Sequence, residues 1–507
     1  MRNIYLSLIS GLLFTACSLD RVPYDALSTA TFPKTEADVE MLAVGCYDDY
    51  ANQDYTIYND VFSDNGYCAI NTNWAVFANG TATHAVPGIN WYNYTLITRC
   101  NNFLHQVTTK EIHFNDPKRL EVLKNEVRFL RAWRYYMMVT AYGDIPLVTE
   151  VVPSLEDAKL PATPETDVVE FILDELNDIT KDGALDVSPK QKGRITRGAA
   201  LALKVRLCLF YKKYDEVIDA ANEINSLGVY NLYQEGEVPY SELFKEANED
   251  NCEIILAVKK VMNDYKNQTI IEFCNVIDGG WSAFVPIQSL IDAYEMKDGL
   301  TIEEAQAKGE YNPEHPYKDR DPRFYATIVY PGATYMGQIV TNDKFINTGY
   351  TFKKYSRYDT AAAAIDDKND INIILMRYAD ILMIYAEARN ERLDKPDQPI
   401  YDAINEVRNR PSVKMPLFDK TKDNFTKEQM RERIRHERRI EFAGEGWYYN
   451  DIRRWKIAKK LMNGSTVQKY DGSIIERRIF NDKNYLFPLP QQEVNDNPNL
   501  LPNNPGW

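Results

Sequence analysis

Histidine is scarce in this chain. Its five copies, His84, His105, His113, His315 and His436, include no pair at HExxH or comparable ligand spacing, which removes the usual zinc-hydrolase signature. The seven cysteines form no CxxC pair, and none has a histidine at metal spacing, so neither a structural zinc knuckle nor a dithiol redox motif is present. No GxSxG elbow, phosphate-binding Walker loop or dinucleotide fingerprint occurs. No apolar run reaches the length that crosses a bilayer. Positive charge is short as well. The formal net charge of −15 argues against nucleic acid as a partner.

What is present is a chain of 507 residues with ordinary apolar and charged fractions, long enough to bury a large core and, by length alone, to hold roughly two to four domains. Aromatic content is high at 12%, with 34 tyrosines, and serves cores, interfaces and sugar-stacking platforms alike. Residues 1–17 read as a processing signal: Arg2 supplies a positive start, Ile4 to Ala16 is mostly apolar, and Thr15-Ala16-Cys17 resembles a lipoprotein box, with Phe14 where Leu is usual. Cys17 is then the lipidated N-terminus of a chain tethered by acyl groups; the alternative is a plain secretory signal. In an exported protein some of Cys46, Cys68, Cys100, Cys208, Cys252 and Cys274 can pair, and the sequence does not say which.

Helical periodicity dominates the rest. Helices are expected near Thr35–Tyr47, Glu121–Tyr142, Pro161–Ile179, Thr196–Tyr211, Asp215–Ile224, Arg377–Asn390 and Tyr401–Arg408. Paired helices of this length suggest a tetratricopeptide-like solenoid of about four units. Tyr55 to Asn90 has no helical period and reads as a long, aromatic-rich loop. Glu253–Val258 and Phe352–Tyr355 read as strands, and Phe324–Tyr330 as a strand entered through a turn at Asp321-Pro322-Arg323. The expected organisation is one domain over 18–507: helical pairs at about 35–230 and 371–460, a mixed portion at about 235–370, and a tail at 461–507.

The densest stretch is Glu432 to Trp455. Ile434, Ile440 and Ala443 form a buried stripe, Gly444 and Gly446 interrupt it, and a second helix carries Tyr448, Ile452 and Trp455. Around them stand Arg438, Arg439, Arg453, Arg454, Glu437, Glu441 and Glu445, a pattern suited to arginine forks clamping carboxylates between two packed helices. Glu437, Arg438, Arg439, Glu441, Glu445, Gly446, Asp451, Ile452, Arg454 and Trp455 fit the pattern E-R-R-x-E-(L/F)-x-x-E-G-x-R-(W/Y)-x-D-(L/I)-x-R-W. The segment thereby resembles the C-terminal core of SusD/RagB-like proteins, surface nutrient-binding lipoproteins of the Bacteroidetes. Gly444 and Tyr448 depart from the pattern, which commonly has a bulky residue and Arg there. The run around Arg128 to Leu147, the segment Val285 to Gly299 and the ending Asn503-Asn504-Pro505-Gly506-Trp507 extend the resemblance over nearly the whole mature chain. It implies a mainly α fold with an irregular α/β insertion, a scaffold role for this corner, and no catalysis. It also implies capture of a glycan for a SusC-like TonB-dependent outer-membrane transporter, or of peptide in RagB-like members.

Two features test those implications from the residues alone. Asp380 and Glu387 lie seven residues apart on one helix face, about 10 Å along the axis, near the separation of an inverting glycosidase pair. They stand among Tyr378, Ile381, Leu382 and Tyr385 and near arginine-rich segments, so ion-paired scaffold is the stronger expectation. Trp91, Trp133, Trp447 and Trp455 lie in helical patterns, and Trp507 in the end motif, whereas Trp74 and Trp281 fall in polar segments. Trp74, Phe77, Tyr67 and Asn73, with Trp281, Asp278 and Phe284, are the candidate ligand-binding residues, because flat rings stack on sugar C–H faces while Asn and Asp bind hydroxyls. No metal or cofactor is called for. A purely structural helical adaptor is the remaining rival.

Overall fold

The computed structural model describes residues 32–507 apart from 49, 52–55, 71–72, 190, 262–268, 346 and 357–369. The expected signal, with Cys17, lies outside the described residues. Helices dominate: α1 (Glu36–Gly45), α2 (Asn73–Ala78), α3 (Thr95–Thr109), α4 (Pro117–Tyr142), α5 (Glu165–Ile179), α6 (Arg197–Phe210), α7 (Tyr214–Ser226), α8 (Tyr378–Arg392), α9 (Gln398–Arg408), α10 (Lys427–Glu441) and α11 (Tyr448–Arg454). Their starts are chemically marked. Thr35 and Asp38 form a capping box on α1, Asp116 caps α4 with Pro117 in its first turn, and Thr426 and Gln429 box α10. Neighbours in sequence pack in space, α3 on α4, α4 on α5, α6 on α7 and α8 on α9, while α8 also packs on α7 and α10.

Between these helical groups lies the mixed portion. Strands β1 (Gly66–Cys68), β2 (Ile254–Val258), β3 (Phe284–Pro286) and β4 (Ile373–Arg377) form two antiparallel pairs, β1 with β3 and β2 with β4. Two expectations are corrected here. The stretch from Tyr55 to Asn90 is not one long loop: its described residues include the 3-10 turn Ile57–Phe62, β1 and the six-residue α2, elements too short to print a period on the sequence. Phe324–Tyr330 is not a strand. Asp321 accepts from the Arg323 N–H and Pro322 opens a turn of helix, Pro322–Thr327, leaving only Ile328–Val329 extended.

The centre of the molecule is ionic as well as apolar. Arg377, at the end of β4, donates to Glu253, Glu441 and Glu445, each at 2.8 Å. Arg410 holds the other side of Glu253 at 2.6 Å. Arg323 reaches Glu437 at 2.5 Å and Glu441 at 3.0 Å, and Arg408 reaches Glu437 at 2.5 Å. All of these side chains are buried. Burial alone pushes the Glu441 carboxyl up, but Arg377, Arg410 and Arg323 outweigh it and hold the group down at about 2. A charge this deep in the protein is tolerable only when paired and hydrogen-bonded. The network ties β2, β4, α9, α10 and the Pro322 helix into one body.

The two departures from the family pattern have local reasons. The Gly444 N–H donates to the buried Asp60 carboxylate at 2.5 Å, on a backbone with φ +79°. Gly446 is required in its own right: at φ +80° a Cβ would sit 1.7 Å from the Thr56 carbonyl oxygen. Tyr448 lies beneath the Arg439 guanidinium, 5.1 Å from its ring centre, so the cation is supplied from the preceding helix. No disulfide joins the six described cysteines.

Candidate functional site

The tryptophans separate by burial. Trp91, Trp133 and Trp447 are buried, and Trp447 carries the Arg206 guanidinium 3.3 Å from its ring centre. Trp455 is half-buried against Arg435 and Arg454 and donates to Glu387 at 2.7 Å. Trp507 donates from its indole to the Lys483 and Leu486 carbonyls. Trp281 alone among the described tryptophans is exposed, with 54% of its surface open. A large indole left in water is the kind of apolar exposure that marks a contact surface.

That exposure is built into the backbone. The Trp281 N–H donates to the Ile271 carbonyl at 2.6 Å, the Ser282 N–H to Cys274 at 3.1 Å, and the Ala283 N–H to Glu272 at 2.7 Å. Ser282 is held at φ +48°, a left-handed conformation uncommon outside glycine, and its carbonyl accepts from Asn347 Nδ2 at 3.0 Å. Gly280 is wedged so closely that a Cβ would stand 2.3 Å from the Cys274 carbonyl oxygen. Behind the turn, Tyr335 of the hairpin Thr334–Ile339 sets its hydroxyl 3.7 Å from Cys274 Sγ. The ring is therefore presented on a fixed turn rather than on a slack loop.

The other candidates converge on the same region in a different state. Trp74 is on helix α2, not in a loop. It is half-buried, stacked on Phe62 with ring centres 5.1 Å apart and set edge-on to Phe284 at 5.7 Å. Phe77, also on α2, is buried against Phe62 and Phe487. Phe284 is likewise buried, in β3, stacked 4.1 Å from Tyr58. The expectation of open loop aromatics is corrected for these three residues. Each ring has more apolar area to bury against its neighbours than a loop provides, and an aromatic block forms instead. Tyr67 is half-buried in β1 opposite Val285 of β3, so the sheet pair joins the two stretches that hold the candidates. Asn73 begins α2 and is exposed; Asp278 closes the turn Val276–Asp278, just before Gly279 at φ +87°. Tyr58, Phe62, Asn347 and the hairpin were not singled out from the sequence, whose aromatic excess signalled rings without saying which would meet.

The tempting carboxylate pair is scaffold. Asp380 accepts from Arg206 at 2.8 Å and Arg438 at 2.9 Å; Glu387 accepts from Arg454 and Trp455. Burial pushes both carboxyls up, yet the guanidiniums hold both below the usual range, the reverse of what a general acid needs.

The SusD family profile matches residues 252–507, half of the chain. This chain belongs to the SusD family. A second profile, described as starch-binding associating with outer membrane, matches residues 18–209. A SusD-like carbohydrate binding protein of Bacteroides fragilis is similar in structure, with a TM-score of 0.83 and 27% identity over 92% of this chain and 99% of that one. A SusD-like protein of the same species matches with a TM-score of 0.80 and 29% identity over 93% of this chain and 97% of its own. SusD-like protein P2 of Formosa agariphila is 24% identical over 98% of both chains. The SusD-family reading of the Glu432–Trp455 corner and the mainly helical fold class both stand.

Proposed function

We propose that this SusD-family protein is a non-catalytic glycan-capture protein whose exposed indole Trp281 is the stacking platform. The observation that carries the reading is that ring: more than half open, yet fixed by three backbone hydrogen bonds. Family membership and the likeness to a carbohydrate binding protein support the ligand class. Trp74, Phe77 and Phe284 form the block that keeps the surface firm, and Asn73, Tyr67 and Asp278 remain the candidate polar contacts for sugar hydroxyls. On this reading Cys17 carries the lipid, the chain sits on the outer membrane facing outward, and captured oligosaccharide passes to a TonB-dependent transporter. A glycan array probed with the wild-type chain and Trp281→Ala tests it. Glycan binding by the wild type, lost in the variant, is expected. Binding of oligopeptides alone would move the cargo to peptide, and undiminished glycan binding by the variant would remove Trp281 from the site.

A further inference from the structure

A cavity of about 390 Å³ opens on another part of the surface, where α4, α6 and α11 end against the C-terminal tail. Its charge runs against that of the molecule. Lys212, Arg453, Lys456 and Lys483 line it, in a chain whose net charge is −15. Of the two carboxylates on its wall, Asp482 is engaged by Lys459 at 2.9 Å, which leaves Glu165. Glu165 accepts from the Tyr211 hydroxyl at 2.8 Å.

Arg454, also on the wall, is paired with Glu387 and Asp451, but Lys212, Arg453, Lys456 and Lys483 make no ion pair among the described residues. Lys212 and Lys456 follow the ends of α6 and α11, each with φ +59°, a left-handed backbone that non-glycine residues seldom adopt. Among the described residues neither ammonium makes an ion pair or a hydrogen bond; that of Lys456 lies 4.7 Å from the Tyr485 ring centre. Arg453 is buried, and its guanidinium donates to the Thr140 and Tyr485 carbonyls with no carboxylate within ion-pair distance among the described residues. Lys483 rests on the Trp507 ring at 3.9 Å. The protein packed around its stem, together with the Arg453 and Lys212 charges, pushes the Lys456 ammonium below its usual range, although the Glu165 carboxylate opposes the shift. Cations near helix ends often serve the dipole, but a side chain doing that hydrogen-bonds the last carbonyls. Arg453 does so; Lys212 and Lys456 do not.

We infer that this hollow binds a compact oxyanion, the carboxylate or sulfate of an acidic sugar or a free inorganic ion, between Lys212 and Lys456 over the fixed charge of Arg453. The inference is independent of the Trp281 platform, which lies elsewhere in the chain and carries no charge.

Isothermal titration of the purified full chain with inorganic sulfate, glucuronate and neutral glucose, at low ionic strength where exposed charges are least screened, tests it. Sulfate is expected to bind the wild type and to weaken at least about tenfold in Lys212→Ala/Lys456→Ala, with glucose giving no lysine-dependent heat. Both lysines are exposed, so the double variant should melt with the wild type. Glucuronate binding with the same loss identifies the acidic sugar as the source; sulfate binding without it identifies the free ion. Absence of heat with both anions, or equal affinity in wild type and double variant, overturns the site.

Discussion

At the scale of single residues, Trp281 and Trp74 are both indoles beside polar neighbours, yet one is open to water and the other is packed against rings. Trp281 has 54% of its surface in water, so Trp281→Ala removes little buried area and should leave the melting temperature within a degree or two of wild type. Glycan affinity should fall at least about tenfold, about 1.4 kcal/mol. Trp74 has a stacked ring on one side and an edge contact on the other. Trp74→Ala leaves a hole in the aromatic block and should cost about 3 kcal/mol of stability, read by urea unfolding. Asp60 adds a pH dependence at this scale. Burial raises its carboxyl to about 7, although the Gly444 N–H and the Lys354 ammonium oppose the rise. A carboxyl raised in the folded state binds more protons there than in the unfolded chain, so its contribution is complete below about pH 4 and fades as pH climbs through 7. Asp60→Asn keeps an acceptor for Gly444 and cannot ionise. Measured against wild type by denaturant titration, it should therefore gain in relative stability between pH 5 and pH 8.

At the scale of elements, the network around Glu441 has the opposite sign. Its carboxyl is held down at about 2 against an ordinary value of 4.5, so the contribution is present above that value and is lost as pH falls through about 2. Removing one partner leaves guanidiniums buried and unpaired. Glu441→Gln should cost about 3–5 kcal/mol at neutral pH, whereas replacing several partners together with apolar residues should cost less than the sum. The turn at Gly280 is a second element-scale device. Gly280→Ala puts a methyl against the Cys274 carbonyl and must shift the Trp281 backbone. It should weaken glycan binding through a lower on-rate or faster release while Trp281 itself is intact. Part of the network was legible in advance, because arginines and glutamates at fixed spacing between apolar positions announce buried pairs: Arg438 and Arg454 clamp Asp451 within the corner, whereas Glu437 and Glu441 take their arginines from outside it, Arg323, Arg408 and Arg377. The state of the aromatics was not. Trp74 and Trp281 have similar polar surroundings in sequence, and what divides them is a non-local fact, that β1 pairs with β3 and brings Phe284 against α2. Register across more than 200 residues leaves no mark on either segment.

At the scale of the whole molecule, the proposed function requires something to hold the chain at a membrane. Among the described residues no helix is long and apolar enough to cross one. The apolar run before Cys17 is too short to span a bilayer, and on the proposed reading it is cleaved away. With a net charge of −15 the chain should also be repelled by anionic lipid, so its surface offers no general electrostatic attraction. Attachment on the proposed reading then rests on acyl chains at one residue, and it takes more than one such chain to hold a protein stably. Cys17→Ala in the expressing cell should move the protein from the membrane fraction to the soluble fraction. The aromatic block, the ion network and the Trp281 turn lie far along the chain, so the released variant should bind glycan with wild-type affinity in the same array. A variant that stayed with the membrane would show that a protein surface, rather than lipid, does the tethering.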